Sequence, residues 1–150
     1  LRRPAPDEVA WARQAAQGNM SMVPGAGLAV VEAQRILALA DGWTGATHTT
    51  EVQALAFGDG LAVVGLPGEI FADLGLIVRS RSPFPHTLVV GLANDAIGYV
   101  PTQHAYEEGG YEPTASRLQP GSGERLVEEA LALLQDLRVG SGQAHTTPGG

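Results

Sequence analysis

The sequence predicts an α/β fold: a mixed sheet containing one βαβ unit and covered by helices. Three observations carry this expectation. The runs Leu61-Ala-Val-Val-Gly-Leu66 and Thr87-Leu-Val-Val-Gly-Leu-Ala93 are apolar and rich in β-branched residues, as are strands buried on both faces of a sheet. Between them Ile70, Phe71, Leu74, Ile77 and Val78 fall on one helical stripe. Upstream, Glu51 to Phe57 alternates and passes through Gly58-Asp59-Gly60 into Leu61, a hairpin signal. Strands are therefore expected over about 52–57, 61–66 and 87–93. The hairpin pair is antiparallel and the crossover pair parallel, with the right-handed sense that such crossovers adopt.

Taken in order, Leu1 to Pro6 is a basic, proline-broken lead-in. Asp7 is expected to cap a short helix through about Ala16, with Glu8 in its first turn. Gly18 to Gly27, with Asn19, Pro24 and Gly25, reads as loop. Leu28 to Ala40 predicts a second helix whose small residues Ala29, Ala33 and Ala40, with Ile36 and Leu37, suit close packing against a sheet. Asp41 to Thr50 is a polar loop holding Trp43 and His48. In the helix of the βαβ unit, Arg79 and Arg81 complement the dipole at the C-terminal end and Pro83 stops it. A helical turn is expected after Pro101, then a glycine and aromatic loop around Gly109-Gly110-Tyr111-Glu112-Pro113. Ser122 opens a last helix to about Leu137, with Leu126, Ala130, Leu133, Leu134 and Leu137 inward and Glu124, Glu128, Glu129 and Asp136 on its wet side.

With 150 residues, 44% hydrophobic and 17% charged, the chain is one globular domain's worth. A net charge of -7 with no Lys/Arg cluster argues against nucleic acid or an anionic membrane surface as partner, while leaving room for a lipid-like substrate in an apolar groove. No apolar run has membrane-spanning length. Zero cysteines exclude a disulfide, a thiolate metal site and a Cys nucleophile. There is no GxSxG elbow, P-loop, GxGxxG or HExxH. His48, His86, His104 and His145 are scattered, as surface or structural histidines are.

Topology selects the candidate site. Glu69 follows the C-terminal end of one strand, and Asn94 to Tyr99 follow the same end of its parallel neighbour. Ligands of open α/β sheets bind at that edge. Glu69 reads either as a ligand-edge carboxylate or as a first-turn acid that complements the helix dipole. Tyr99 reads either as a site phenol or as a half-buried aromatic bonded locally. Tyr106 and Tyr111 lie in the long loop that starts at the same edge.

Val64-Gly-Leu-Pro-Gly-Glu-Ile-Phe71, then Leu88-Val-Val-Gly-Leu-Ala-Asn94 with Tyr99 five residues on, then Tyr106-Glu-x-x-x-Tyr111-Glu112 and Ala115-Ser116, resembles the later half of the catalytic domain of the neutral/alkaline (non-lysosomal) ceramidases. The resemblance covers about Val52 to Ser116 and is to a divergent, bacterial-type member. It implies a zinc-dependent hydrolase of N-acyl amide bonds. Glu69 and Tyr99 match two ligands of one zinc ion, which is shared with two His absent from this chain. Tyr111 stands at the offset of the tyrosine that assists at the scissile amide, and Asn94 and Tyr106 fall where substrate would bind. The resemblance makes residues 1–138 the C-terminal portion of such a domain, its upstream half and Ser nucleophile lying elsewhere, followed by a disordered tail over 139–150. The partner it implies is a small or lipid-like N-acyl substrate, and relatives are often secreted or at membrane surfaces. Ala96, Val100-Pro101-Thr102 and Pro113-Thr114 depart from the family pattern around the substrate mouth. Two rival readings stand beside it: a binding or scaffold module that keeps the fold without the chemistry, and a metallohydrolase acting on esters.

Overall fold

The computed structural model describes residues 3–17, 26–41 and 47–144, which form two compact units, residues 1–48 and 49–150. The loop expected over Gly18 to Gly27 is described only at 26 and 27, which are helical, while Trp43 and the end of the tail from His145 lie outside the described residues.

The first unit is a pair of helices, α1 (Pro6–Gln17) and α2 (Ala26–Asp41). Its core is Ala12, Ala15, Ala33 and Ile36, with Val9 and Leu37 packed against it. The small face of α2 packs on α1: alanines permit a close approach but do not specify what approaches. Asp7 is not the cap either. Pro6 occupies the first helical position, where its missing N–H costs nothing. Glu8 instead reaches back to accept the Ala5 N–H at 2.7 Å, half of a capping box.

The second unit is α/β. Strands β1 (Gln53–Phe57) and β2 (Leu61–Gly65) form the expected antiparallel hairpin, with Leu55 opposite Val63. Strand β4 (His86–Val90) pairs parallel to β2, with Leu61 opposite His86. The sheet order is β1-β2-β4 and it is mixed. Helix α3 (Ala72–Arg81) makes the crossover and buries Leu74 and Val78. Helix α6 (Ser122–Ala144) buries Val127, Ala130 and Leu134 and packs against α3 and β1.

The sheet is covered on one face within this unit. Ala62, Val64 and Thr87 are buried on the side of the helices. On the other side Leu55, Phe57, Leu88 and Val90 are exposed, so β1 alternates as expected and the expectation of burial on both faces fails for β4. A β-branched run identifies a strand, but not the number of layers packed upon it.

Two boundaries also move. Ile70 and Phe71 do not belong to α3. Glu69–Ile70 is instead a short strand, β3, paired parallel with β5 (Tyr99–Val100). The last helix continues past Leu137 to Ala144, through Gly140-Ser141-Gly142 that read as tail. Each further residue of a long helix adds a backbone hydrogen bond, which offsets the cost of isolated glycines. Glu124, expected on the wet side of α6, accepts the Gln103 N–H at 2.8 Å. It thereby satisfies a free donor at the start of α4 (Gln103–Glu108).

Candidate functional site

The backbone between β2 and α3 is zipped to the segment that follows β4. Leu66 N donates to Val90 O at 2.9 Å, Ala93 N to Leu66 O at 3.1 Å, and Leu92 N to Gly68 O at 2.8 Å. Gly68 N then donates to Asp95 O at 3.1 Å and Glu69 N to Gly98 O at 2.9 Å. Gly68 is buried with φ +82°, and a Cβ there would lie 2.5 Å from Gly98 O and 2.8 Å from Ile97 Cγ1. Only glycine lets the two strands meet at this point.

The result is the β3–β5 pair, in which Glu69 stands directly opposite Tyr99 and Ile70 opposite Val100. Phe71 N donates to Val100 O at 3.2 Å. Pairing keeps the backbone extended through Phe71 (φ -60°, ψ 140°), whose carbonyl accepts from Leu74 N and Gly75 N, so α3 begins only at Ala72. Its first-turn acid is Asp73. Glu69 is a strand residue, and the helix-dipole reading of its carboxylate falls.

Tyr111 joins the pair from α5 (Tyr111–Ala115), a short helix where the sequence suggested loop. Pro113 sits in its first turn, where proline is tolerated. The Tyr99 and Tyr111 rings meet edge-to-face, 5.9 Å between centroids and 75° between planes. Glu69 and Tyr111 are exposed and Tyr99 is half-buried. The Glu69 carboxylate, and then burial, raise the Tyr99 phenol above its ordinary value, with smaller contributions from Tyr111 and Glu112. The phenol keeps its proton at neutral pH, in a cluster of negative potential that a cation would relieve.

Asn94 and Tyr106 are placed differently. Asn94 adopts φ +67° and its amide donates to Glu51 Oε1 at 3.2 Å and Gln53 Oε1 at 3.4 Å, tying the loop to the start of β1. The Tyr106 hydroxyl reaches Ser116 Oγ at 3.0 Å and Leu118 O at 2.9 Å. Asp95, which the sequence did not single out, organises the loop between Asn94 and Tyr99. Its carboxylate accepts from Ala96 N at 2.7 Å and from Thr50 Oγ1 at 3.2 Å. An Asx residue flanked by a turn was the available signal.

Among the described residues no group of three or more His, Cys, Asp or Glu could hold a metal ion. His104 lies exposed beside Glu107 and Glu108 on α4, 3.5 Å from each. Among the described residues of the second unit, Glu69 and Tyr99 are adjacent oxygen donors, with Glu112 near by. They fit a zinc shell as part of it, with further donors required.

The fold and site define the class: an α/β protein with a carboxylate and a phenol paired beyond the C-terminal ends of its parallel strands β2 and β4. No protein-family model matches the chain, and no curated protein matches it. Among solved structures it is similar to a ceramidase complexed with C2, at 22% sequence identity and a TM-score of 0.54 over 59% of this chain. The fold is ceramidase-like over that part. The chain spans 15% of the length of that ceramidase. Among the described residues no helix is long and apolar enough to cross a membrane.

Proposed function

We propose that this chain supplies part of the centre of a zinc-dependent, ceramidase-like hydrolase of N-acyl amide bonds. The observation that supports this most is the register of β3 on β5, which sets Glu69 opposite Tyr99. That juxtaposition was expected both from the βαβ topology and from the family resemblance. Glu69 and Tyr99 would hold one zinc ion together with groups outside this chain. Bound there, zinc supplies Lewis acidity toward an amide carbonyl or water.

The chain's own residues do the rest. Glu69 brings the negative charge, and Tyr99 holds its phenolic proton until a cation arrives. Tyr111, exposed and packed edge-on to Tyr99, would donate a hydrogen bond toward the oxygen that becomes negative at the reacting amide. Asn94 would help position substrate at the rim. The Tyr106 hydroxyl is bonded internally, which leaves its ring as the part a substrate would meet. The substrate class is a small or lipid-like N-acyl compound.

The test is elemental analysis of the full-length protein after dialysis, beside Glu69→Ala. Near-stoichiometric zinc in the parent, lost in the variant with little change in melting temperature, is the expected result. Full zinc occupancy in Glu69→Ala would sink the assignment. A parent without zinc would favour the scaffold reading, and turnover of esters but not amides would move the substrate class.

A further inference from the structure

The structure assigns Ser116 as a positioning residue: its buried hydroxyl fastens the strand that carries Tyr99 to the helix that carries Tyr111. Strand β5 has only two residues, and β3 occupies one of its edges by binding the carbonyls of Gly98 and Val100. The intervening carbonyl, that of Tyr99, points to the opposite edge, as alternate carbonyls of a strand do. Among the described residues no strand lies there to receive it. Ser116 Oγ donates to Tyr99 O at 2.8 Å in place of a neighbouring strand.

Ser116 is also the C-terminal cap of α5, its own N–H bonded to Glu112 O at 2.9 Å. A single residue therefore terminates the helix of Tyr111 and grips the backbone of Tyr99. The edge-to-face contact of the two rings depends on that connection.

The hydroxyl has nothing left for other work. It accepts from Leu118 N at 3.1 Å while donating its one proton to Tyr99, and it lies 3.0 Å from the Tyr106 hydroxyl, whose single proton is shared between Ser116 Oγ and Leu118 O. Ser116 is 1% exposed. A saturated, buried hydroxyl is no nucleophile, and losing it leaves buried groups unpaired. Tyr106 braces it, with its hydroxyl set between Ser116 Oγ and Leu118 O.

The inference rests on the proposed zinc centre only for its second readout. The first is metal-free: NMR cross-peaks between the ring protons of Tyr99 and Tyr111 in the chain, for the parent, Ser116→Ala and Tyr106→Phe. Cross-peaks present in the parent, lost in Ser116→Ala and weakened in Tyr106→Phe, with β2 and β4 amide protection unchanged, are expected. Cross-peaks unchanged in Ser116→Ala, or absent from the parent, overturn the inference. If Ser116→Ala does not fold, Tyr106→Phe decides, and unaltered cross-peaks there overturn it. The second readout is zinc affinity of the full-length protein, expected to fall about 10- to 100-fold in Ser116→Ala, as outer-shell losses do. Parent-like zinc affinity in Ser116→Ala counts against Ser116, whereas zinc missing from the parent counts against the zinc reading and leaves the ring contact to judge Ser116.

Discussion

The β2–β4 ladder and the β3–β5 pair are both parallel, yet they are held in different ways. β2 and β4 pair over five residues each, with Ala62, Val64 and Thr87 buried toward the helices. Such a ladder is secured by distributed burial, and no single contact fixes it. β3 and β5 have two residues each, too few to stand on their own hydrogen bonds. They are held from outside, by the close approach of Gly68, the burial of Val100 and Pro101, and the hydroxyl of Ser116. The scaffold comes from periodic apolar residues, and the site from a few residues in special conformations.

Gly68→Ala should break this contrast most sharply. The new methyl group meets the Gly98 carbonyl and the backbone must keep a positive φ, so a loss of about 3 kcal/mol is expected in chemical denaturation. A loss under about 1 kcal/mol would mean that β3–β5 yields as readily as an ordinary surface segment.

Glu69→Gln should sharpen it with a smaller effect. Removing the carboxylate removes the main cause that raises Tyr99, so its phenol should titrate at lower pH, nearer the ordinary value of 10.0. Because the folded value is raised, the protonated phenol favours the folded state below the unfolded value of about 10, and this contribution fades as pH climbs through the folded value. The variant should therefore lose less stability in that alkaline window. Carbon NMR of labelled tyrosine follows the titration directly, and an unmoved Tyr99 would separate the two side chains that the register brings together.

Leu92→Gly is expected to have the smallest effect and the opposite sign. Leu92 holds φ +54° with a 59% exposed side chain, so strain is relieved and little packing is lost. A gain of about 0.5–1 kcal/mol should appear as a raised melting temperature. A fall instead would show that the Leu92 side chain has a partner that outweighs its backbone strain.

The sequence made the scaffold legible where burial imposes a period. The hairpin through Gly58-Asp59-Gly60, the crossover helix and the parallel return through Val89 were all readable, and with them the side-by-side placement of Glu69 and Tyr99. What escaped reading has no period. A two-residue strand such as Glu69–Ile70 is defined only by its partner, so in the sequence Ile70 falls into the helical stripe of Leu74 and Val78. Ser116 enters the sequence reading only as the end of the family-like pattern, with no role of its own, because its importance lies in a contact with a carbonyl 17 positions away. The alanines of α2 signalled closeness without an address. Apolarity at Leu88 signalled a strand without saying that one side would lie open.

The register of β3 on β5 has one further consequence. Val100 follows Tyr99 and is fully buried, as is Pro101 after it. A slip of β5 by one residue would drive the Tyr99 phenol into the space that Val100 fills and turn an aliphatic side chain outward. The hydrophobic interior thus works as an indexing pin for a polar pair at the surface. The alignment of Glu69 with Tyr99 is guarded by a valine that has no chemistry of its own.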